Sequence, residues 1–256
     1  MKQHHEQWTS KLGFILATAG SAIGLGAIWK FPYIAGVSGG GAFFFIFLIF
    51  TVFVGMPILL AEFIIGRGSQ KDAIRAYTTF APNTSWHLVG ILGMVTCFIL
   101  LSFYSVVGGW ILLYLFQTLI GNLSGLPENE YGSLFNEFIA DPVFAITAQF
   151  IFMAITIIVV AKGIQKGIER ASKIMMPALF IAFIILIIRS LTLDNISEGI
   201  SFFLYPDFSN LSSKTILFAL GRSFFSIIDD VAVMVIYSFY LCKNEDLPKS
   251  AFTIVI

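Results

Sequence analysis

The sequence predicts an all-α polytopic membrane protein whose first crossing is interrupted at mid-depth. Three observations carry that expectation. The chain is 57% hydrophobic and 12% charged, with a mean hydropathy of +0.89, far from soluble-domain usage. Its apolar residues gather in stretches of about 20 or more, the length that crosses a hydrocarbon core of about 30 Å. The first of these, LGFILATAGSAIGLGAIWKFPYIA from Leu12 to Ala35, carries Gly20, Gly24 and Gly26 at its centre. A spanning helix must satisfy its own backbone groups, so glycines clustered there suit a break whose freed N–H and C=O groups face a buried polar ligand.

Six spans follow in order, near residues 12–35, 41–66, 87–120, 142–161, 168–191 and 213–241, with a seventh starting at Ser250, all within one transmembrane domain over 1–256. The third is long enough to tilt strongly or to extend beyond the bilayer. Lys2, Lys11, Arg67, Lys71, Arg75, Lys162, Lys166, Arg170, Lys173, Lys243 and Lys249 collect on one side, which the positive-inside rule makes cytoplasmic. The opposite connections are acidic, with Glu128, Glu130, Glu137 and Asp141 in one and Asp194, Glu198 and Asp207 in another. The expectation is a multi-pass cell-membrane protein with a cytoplasmic N-terminus. The polar, turn-rich stretch from Gly121 to Asp141 reads as an ordered extracellular loop. Gly55, Pro57, Gly108, Gly109 and Pro177 read as kinks or close helix contacts.

Net charge is zero, which gives no basis for nucleic-acid binding. Cys97 and Cys242 lie in or beside apolar runs without paired spacing, so neither a disulfide framework nor a zinc site is expected. His4 and His5 alone do not make a metal site, and Trp8 before the first span reads as a headgroup anchor.

Within the first span, freed carbonyls around Gly20, Ala22 and Ile23 suit a hard cation such as sodium. The amides of Leu25 and Gly26, at a half-helix N-terminus, suit a carboxylate. Gly20 and Gly24 equally fit the spacing that lets two membrane helices approach closely. Lys30, one turn beyond, is either a snorkelling residue or an anchor in a solvent vestibule. Glu62 near the end of the second span reads as a structural carboxylate. Tyr104, midway along the third, either packs or donates to a substrate. The sixth span, ALGRSFFSIIDDVAVMVIYSFY, places Asp229 and Asp230 side by side, with Arg222 two helical turns earlier. Charges at such depth pair, face water or serve an ion route. Adjacent residues are about 100° apart on a helix, so both aspartates share one environment only if the segment unwinds.

The residues Trp8, LGFILATAGSAIGLG, FPY, GGGAFF, GMPILLAEFIIGR and KGIQKGIERASKIMMPALF resemble the neurotransmitter:sodium symporter family, of the bacterial leucine-transporter type. The resemblance covers nearly the whole chain. It implies the first five-helix repeat plus the sixth helix of an inverted-repeat transporter fold, with helices one and six discontinuous around sodium and an amino-acid-like substrate. Carried over by position, it assigns the carbonyls of Gly20 and Ile23 to one sodium site and Ala22 with Ser226 to the other. It gives the substrate carboxylate to the Leu25 and Gly26 amides and the Tyr104 hydroxyl, outer closure to Phe225, and gating to Trp8 and Lys30. Gly24 stands where amine-transporting relatives place an aspartate, which favours an amino acid.

The chain departs from the family pattern at several of these positions. Ala27 replaces a sodium-ligating asparagine and removes a side-chain oxygen from the first sodium site, so one intact sodium site is the expectation, and even the second draws in the family on helix eight, which this chain does not carry. Lys30 replaces an arginine, and a bidentate clamp becomes a point charge. His5 stands in place of the inner-gate arginine. Ile228, Asp229 and Asp230 replace a small, flexible break, and Arg222 an expected glutamine. With only the first repeat and helix six on the chain, the expectation is the front part of a sodium-coupled amino-acid symporter that works with further helices. The alternative is a non-transporting membrane protein, or a degenerate transporter remnant, that binds a ligand or partner. An aspartyl enzyme is not expected, because adjacent carboxylates on one helix cannot converge across a substrate to share a proton.

Overall fold

The described residues are built almost wholly from helices, and local chemistry sets where each begins. The computed structural model describes residues 7–24, 26–209, 211–228, 233–241 and 245–255. Helix α1 (Lys11–Ala22) starts where the Ser10 hydroxyl accepts the Gly13 N–H at 3.0 Å, an N-cap that satisfies one of the orphan amides. After the break, a π-turn at Gly26–Lys30 runs into α2 (Phe31–Val37), bent 55° from α1. The second span joins α3 (Gly41–Phe50) to α4 (Met56–Ser69) through a π-turn at Thr51–Gly55. It ends at Gln70, whose φ of 50° lies in the left-handed region.

Asp72 caps the short α5 (Ala73–Phe80) by accepting the Ile74 and Arg75 amides. Helix α6 (His87–Leu119) is the longest, followed by α7 (Glu128–Ala140) and α8 (Pro142–Ala161), the last capped by Asp141 with proline at its first position. A π-turn at Ile164–Glu169 leads into α9 (Arg170–Leu191), which carries Pro177 in its interior. Then come α10 (Ile196–Leu204), α11 (Ser213–Ile228), α12 (Val233–Phe239) and α13 (Leu247–Val255). Among the described residues, four unbroken stretches are long and apolar enough to cross a membrane: Gly41–Ser69, His87–Leu119, Pro142–Ala161 and Ile164–Ser190. The bent pair Lys11–Ala22 with Gly26–Val37 is a fifth.

Helices lie along the stretches expected at 12–35, 41–66, 87–120, 142–161 and 168–191; the stretch expected at 213–241 holds α11 and α12, whose join lies outside the described residues, and three short helices are additions. Helix α7 occupies the stretch read as an extracellular loop, and α5 and α10, eight and nine residues long, are too short to mark as spans. The chain divides into two compact units: residues 1–94 with 164–256, and residues 95–163.

In the first unit, one core joins Trp8, Phe14, Ala17, Leu59, Phe63, Ile164, Met234, Leu241, Leu247 and Ala251, so α1, α4, α12 and α13 meet around two fully buried phenylalanines. Their rings, Phe14 and Phe63, lie 5.3 Å apart. Such a pair contributes about 0.5–1.5 kcal/mol beyond its area. A second core joins Ala35, Phe43 and Ala219, with Phe31, Phe47 and Phe203 packed against it. Close approach needs glycine at Gly40, with φ at 56°, where a Cβ would fall 2.6 Å from the Phe202 carbonyl oxygen.

In the second unit, α6 and α8 pack closely enough that a Cβ on Gly109 would lie 2.7 Å from the Gln149 backbone nitrogen and one on Gly108 2.5 Å from the Phe152 ring. The Gln149 amide donates to the buried Ser105 hydroxyl at 3.0 Å, a polar tie between apolar helices. Gly108 and Gly109 are therefore close helix contacts.

Candidate functional site: the broken first span

The α-helical ladder of α1 ends with the Ile23 N–H on the Ala19 carbonyl at 2.9 Å. The carbonyls of Gly20, Ala22 and Ile23 lie past that last helical bond, where an α-helix leaves its final carbonyls without partners in its own ladder. The next segment starts at the Gly24 carbonyl, which accepts the Ala27 amide at 3.0 Å and the Ile28 amide at 3.3 Å. One helical ladder thus ends and another begins on either side of residue 25, which lies outside the described residues. Gly20 also serves the packing role that its spacing allows: a Cβ there would meet the Met176 sulfur at 3.0 Å.

Helix α11 supplies the neighbour on the other side. Its Ser223 is fully buried and lies 3.3 Å from the Thr51 hydroxyl in the π-turn of the second span. Arg222 points at the break: a Cβ on Gly26 would fall 3.0 Å from each terminal guanidinium nitrogen and 3.5 Å from Cζ. The sequence reading placed Arg222 only relative to Asp229 and Asp230 on its own helix and missed this contact, which no periodicity within one helix reveals. Lys30 is exposed at the end of the π-turn. Leu25, Asp229, Asp230, and the side chains of Phe225 and Ser226 lie outside the described residues, as do His4, His5, Cys242 and the join between α11 and α12. Tyr104 is half-buried on α6 in the second compact unit, its ring edge-to-face with Phe103.

Trp8 corrects the reading of a headgroup anchor. It is 6% exposed, donates its indole N–H to the Tyr237 carbonyl at 2.9 Å, and meets Phe14 and Tyr237 edge-to-face. An anchor would keep its ring at the lipid–water boundary, whereas here α12 encloses it. Its amide also donates to the Tyr240 carbonyl at 3.2 Å, so the segment before α1 is fastened to the end of α12.

Glu169 is the residue that sequence reasoning passed over. It is 1% exposed, accepts the Thr9 amide at 2.8 Å, the Ser10 hydroxyl at 3.3 Å and the Lys173 ammonium at 2.6 Å, and also takes the Thr9 hydroxyl. It ties the start of α1 to the π-turn before α9. A carboxylate alone in the basic run KGIQKGIERASK was the available signal. Glu62 is buried, as expected of a structural carboxylate, and its charge acts on Tyr77 of α5. Burial first, and Glu62 second, hold that phenol above its ordinary value. Among the described residues, no group of three His, Cys, Asp or Glu side chains could hold a metal.

The profile of the sodium:neurotransmitter symporter family matches residues 5–134 and 140–256. The chain belongs to that family. The family is one of transporters, and with its apolar helices this member is a multi-pass membrane protein. Among relatives, an uncharacterized sodium-dependent transporter of Bacillus subtilis (strain 168), YhdH, is 55% identical over 255 residues, covering 100% of this chain and 56% of that protein. The sodium- and chloride-dependent GABA transporter 2 of Rattus norvegicus is 28% identical over 257 residues, covering 86% of this chain and 42% of that protein. The crystal structure of MhsT in complex with L-phenylalanine superposes with a TM-score of 0.89 at 43% identity, covering 98% of this chain and 57% of that one. The fold is thus that of this symporter family, and the chain spans about half the length of the relatives it matches.

Proposed function

We propose that the protein carrying this chain is a sodium-coupled symporter of a small amino acid, working by alternating access. The observation that carries the reading is the 55° break in the first span, with the Gly20, Ala22 and Ile23 carbonyls past the end of one helical ladder and Gly26 opening the next helical segment. Oxygens without helical partners suit sodium, and amides at a helix start suit a carboxylate. One zwitterion and one cation satisfy both ends of the gap at once.

In this reading Gly20 and Ile23 serve one sodium site, and Ala22 with Ser226 the other. Leu25, Gly26 and Tyr104 hold the substrate carboxylate, Phe225 closes the outer side, Trp8 and Lys30 belong to the gates, and the N-terminus is cytoplasmic. Ala27 offers no side-chain oxygen, which weakens the first sodium site. Gly24 leaves room for a carboxylate beside the break. Sodium couples to substrate because each favours the conformation that the other binds, so a sodium gradient biases the direction of rocking. The sodium-dependent names of the relatives and the L-phenylalanine bound to MhsT support the same class of cargo.

The test is uptake of labelled L-phenylalanine and L-leucine into proteoliposomes holding the protein of the full reading frame, with an inward sodium gradient. Uptake that collapses when choline replaces sodium is the expected result. Equal uptake in choline overturns the coupling.

A further inference from the structure

We propose that Lys166 and Arg170, at the π-turn before α9, hold the headgroup of an anionic phospholipid whose acyl chain lies along the apolar face of α9. The inference is independent of the symport reading and concerns a ligand outside the broken span.

The sequence sets the charge. Between Asp141 and Asp194 it has a single carboxylate, Glu169, against Lys162, Lys166, Arg170, Lys173 and Arg189. The fold commits that carboxylate elsewhere: it is 1% exposed, accepts from Thr9 and Ser10, and pairs with Lys173 at 2.6 Å. Ile164, Gly167 and Glu169 of the turn are buried, while Lys166 and Arg170 are exposed. The turn is held in that orientation by the Glu169 bonds and by the Gln165 amide, which donates to the Gln7 carbonyl at 2.6 Å. Among the described residues Lys166 and Arg170 enter no ion pair, whereas Lys11 and Arg75 pair with Glu245 and Asp72. Cations one helical turn apart repel each other, and an anion between them removes that cost.

What adjoins the two charges selects the kind of anion. At about 100° per residue, Arg170, Ile174, Ile181, Ile185 and Ile188 share one face of α9. The four isoleucines are 58–64% exposed. From Ile174 to Ile188 that row runs about 21 Å, enough to cover the roughly 15 Å of hydrocarbon in one leaflet. A free phosphate uses the charges alone. A phospholipid uses both, with its phosphate on the guanidinium fork and the ammonium and its chain against the isoleucines. Each cation beside an anionic membrane lipid contributes roughly fivefold to binding, so the pair should contribute about ten- to thirtyfold.

The experiment titrates the protein of the full reading frame, in neutral detergent, with phosphatidylglycerol or phosphatidylcholine of the same acyl chains, and counts bound lipid by native mass spectrometry. Phosphatidylglycerol should bind about ten- to thirtyfold tighter. The double variant Lys166→Gln with Arg170→Gln should lose that preference, and Lys71→Gln with Arg75→Gln, which removes the same charge elsewhere, should keep it. On the unsubstituted protein, where folding is not in question, phosphatidylglycerol should slow phenylglyoxal modification of Arg170 and leave the exposed Arg75 unchanged. Phosphatidylcholine and glycerol 3-phosphate should protect neither.

Equal affinity for the two lipids, an equal loss in both double variants, or unprotected Arg170 overturns the site, the last also being the result if further helices of the longer protein cover this face of α9. Protection of Arg170 by glycerol 3-phosphate as strong as by phosphatidylglycerol makes the ligand a soluble anion and overturns the lipid.

Discussion

Replacing Gly13 by alanine should be far more damaging than one methyl group suggests. Its Cβ would sit 2.2 Å from Glu169 Oε1, 2.5 Å from Cδ and 2.6 Å from Cγ. Ordinary contact is about 3.5–4.0 Å, so the carboxylate must retreat by more than about 1 Å. At 1% exposure it has nowhere to go without leaving the Thr9 amide, the Ser10 hydroxyl or the Lys173 ammonium. Two such charged hydrogen bonds lost cost about 3–6 kcal/mol, and overpacking adds about 1–3 kcal/mol. Alanine returns about 1 kcal/mol through helix propensity. The Lys173 side chain, 38% exposed, regains water when released and lowers the penalty further. The net expectation is about 3–5 kcal/mol, or roughly 6–20 °C in melting temperature at about 2–4 °C per kcal/mol for a chain of this size.

Nanoscale fluorimetry of the purified protein in one detergent measures the shift. In a Glu169→Ala background the clash has no partner, and the same glycine substitution should cost under about 1 kcal/mol. A Gly13→Ala protein melting within about 2 °C of the parent would refute the reasoning, as would an equal cost in both backgrounds.

Further outcomes follow at Trp8, at two other glycines and at Tyr77. Trp8→Phe should lose about 1 kcal/mol with the hydrogen bond to the Tyr237 carbonyl, and Trp8→Ala about 3–5 kcal/mol with its ring contacts, both read as melting shifts. Gly66→Ala should be severely destabilising, because its Cβ would fall 2.0 Å from the Ser238 hydroxyl and 2.1 Å from the Val235 carbonyl. Gly36→Ala, with nothing within 4 Å, should melt at or slightly above the parent temperature. Tyr77 has its phenol pKa raised in the folded state, so its contribution is fully present below the ordinary value of 10.0 and is lost as pH rises from there through the folded value. Tyr77→Phe should therefore show a smaller drop in melting temperature above about pH 10 than the parent.

The span pattern was legible because a membrane crossing is written in composition. The stretch expected at 142–161 coincides with α8 at both ends, and 87–120 differs from α6 by one residue. The break in the first span was legible for a related reason: three glycines at mid-depth have few uses. Contacts between distant segments were not legible. Trp8 reads as an anchor until Tyr237, far along the chain, is known to lie over it. Arg222 invites pairing with the aspartates of its own helix, and only the packing of α11 beside the first span turns it toward Gly26. Helix α7 was hidden because a polar, glycine-bearing segment such as ENEYGSLFNEFIA has weak hydropathy whether coiled or helical.

The π-turn at Thr51–Gly55 has a mechanical consequence. One residue added to a helical turn rotates everything after it by about 100°, so the two halves of the second span present different sides to their surroundings. The earlier half and the turn itself lean on α11, and the later half leans on α12. A single helical stretch thus packs against both α11 and α12. A displacement of α11 or α12 would load that helix in torsion, and Thr51, at the π-turn and 3.3 Å from the buried Ser223 hydroxyl, sits where the torsion would concentrate.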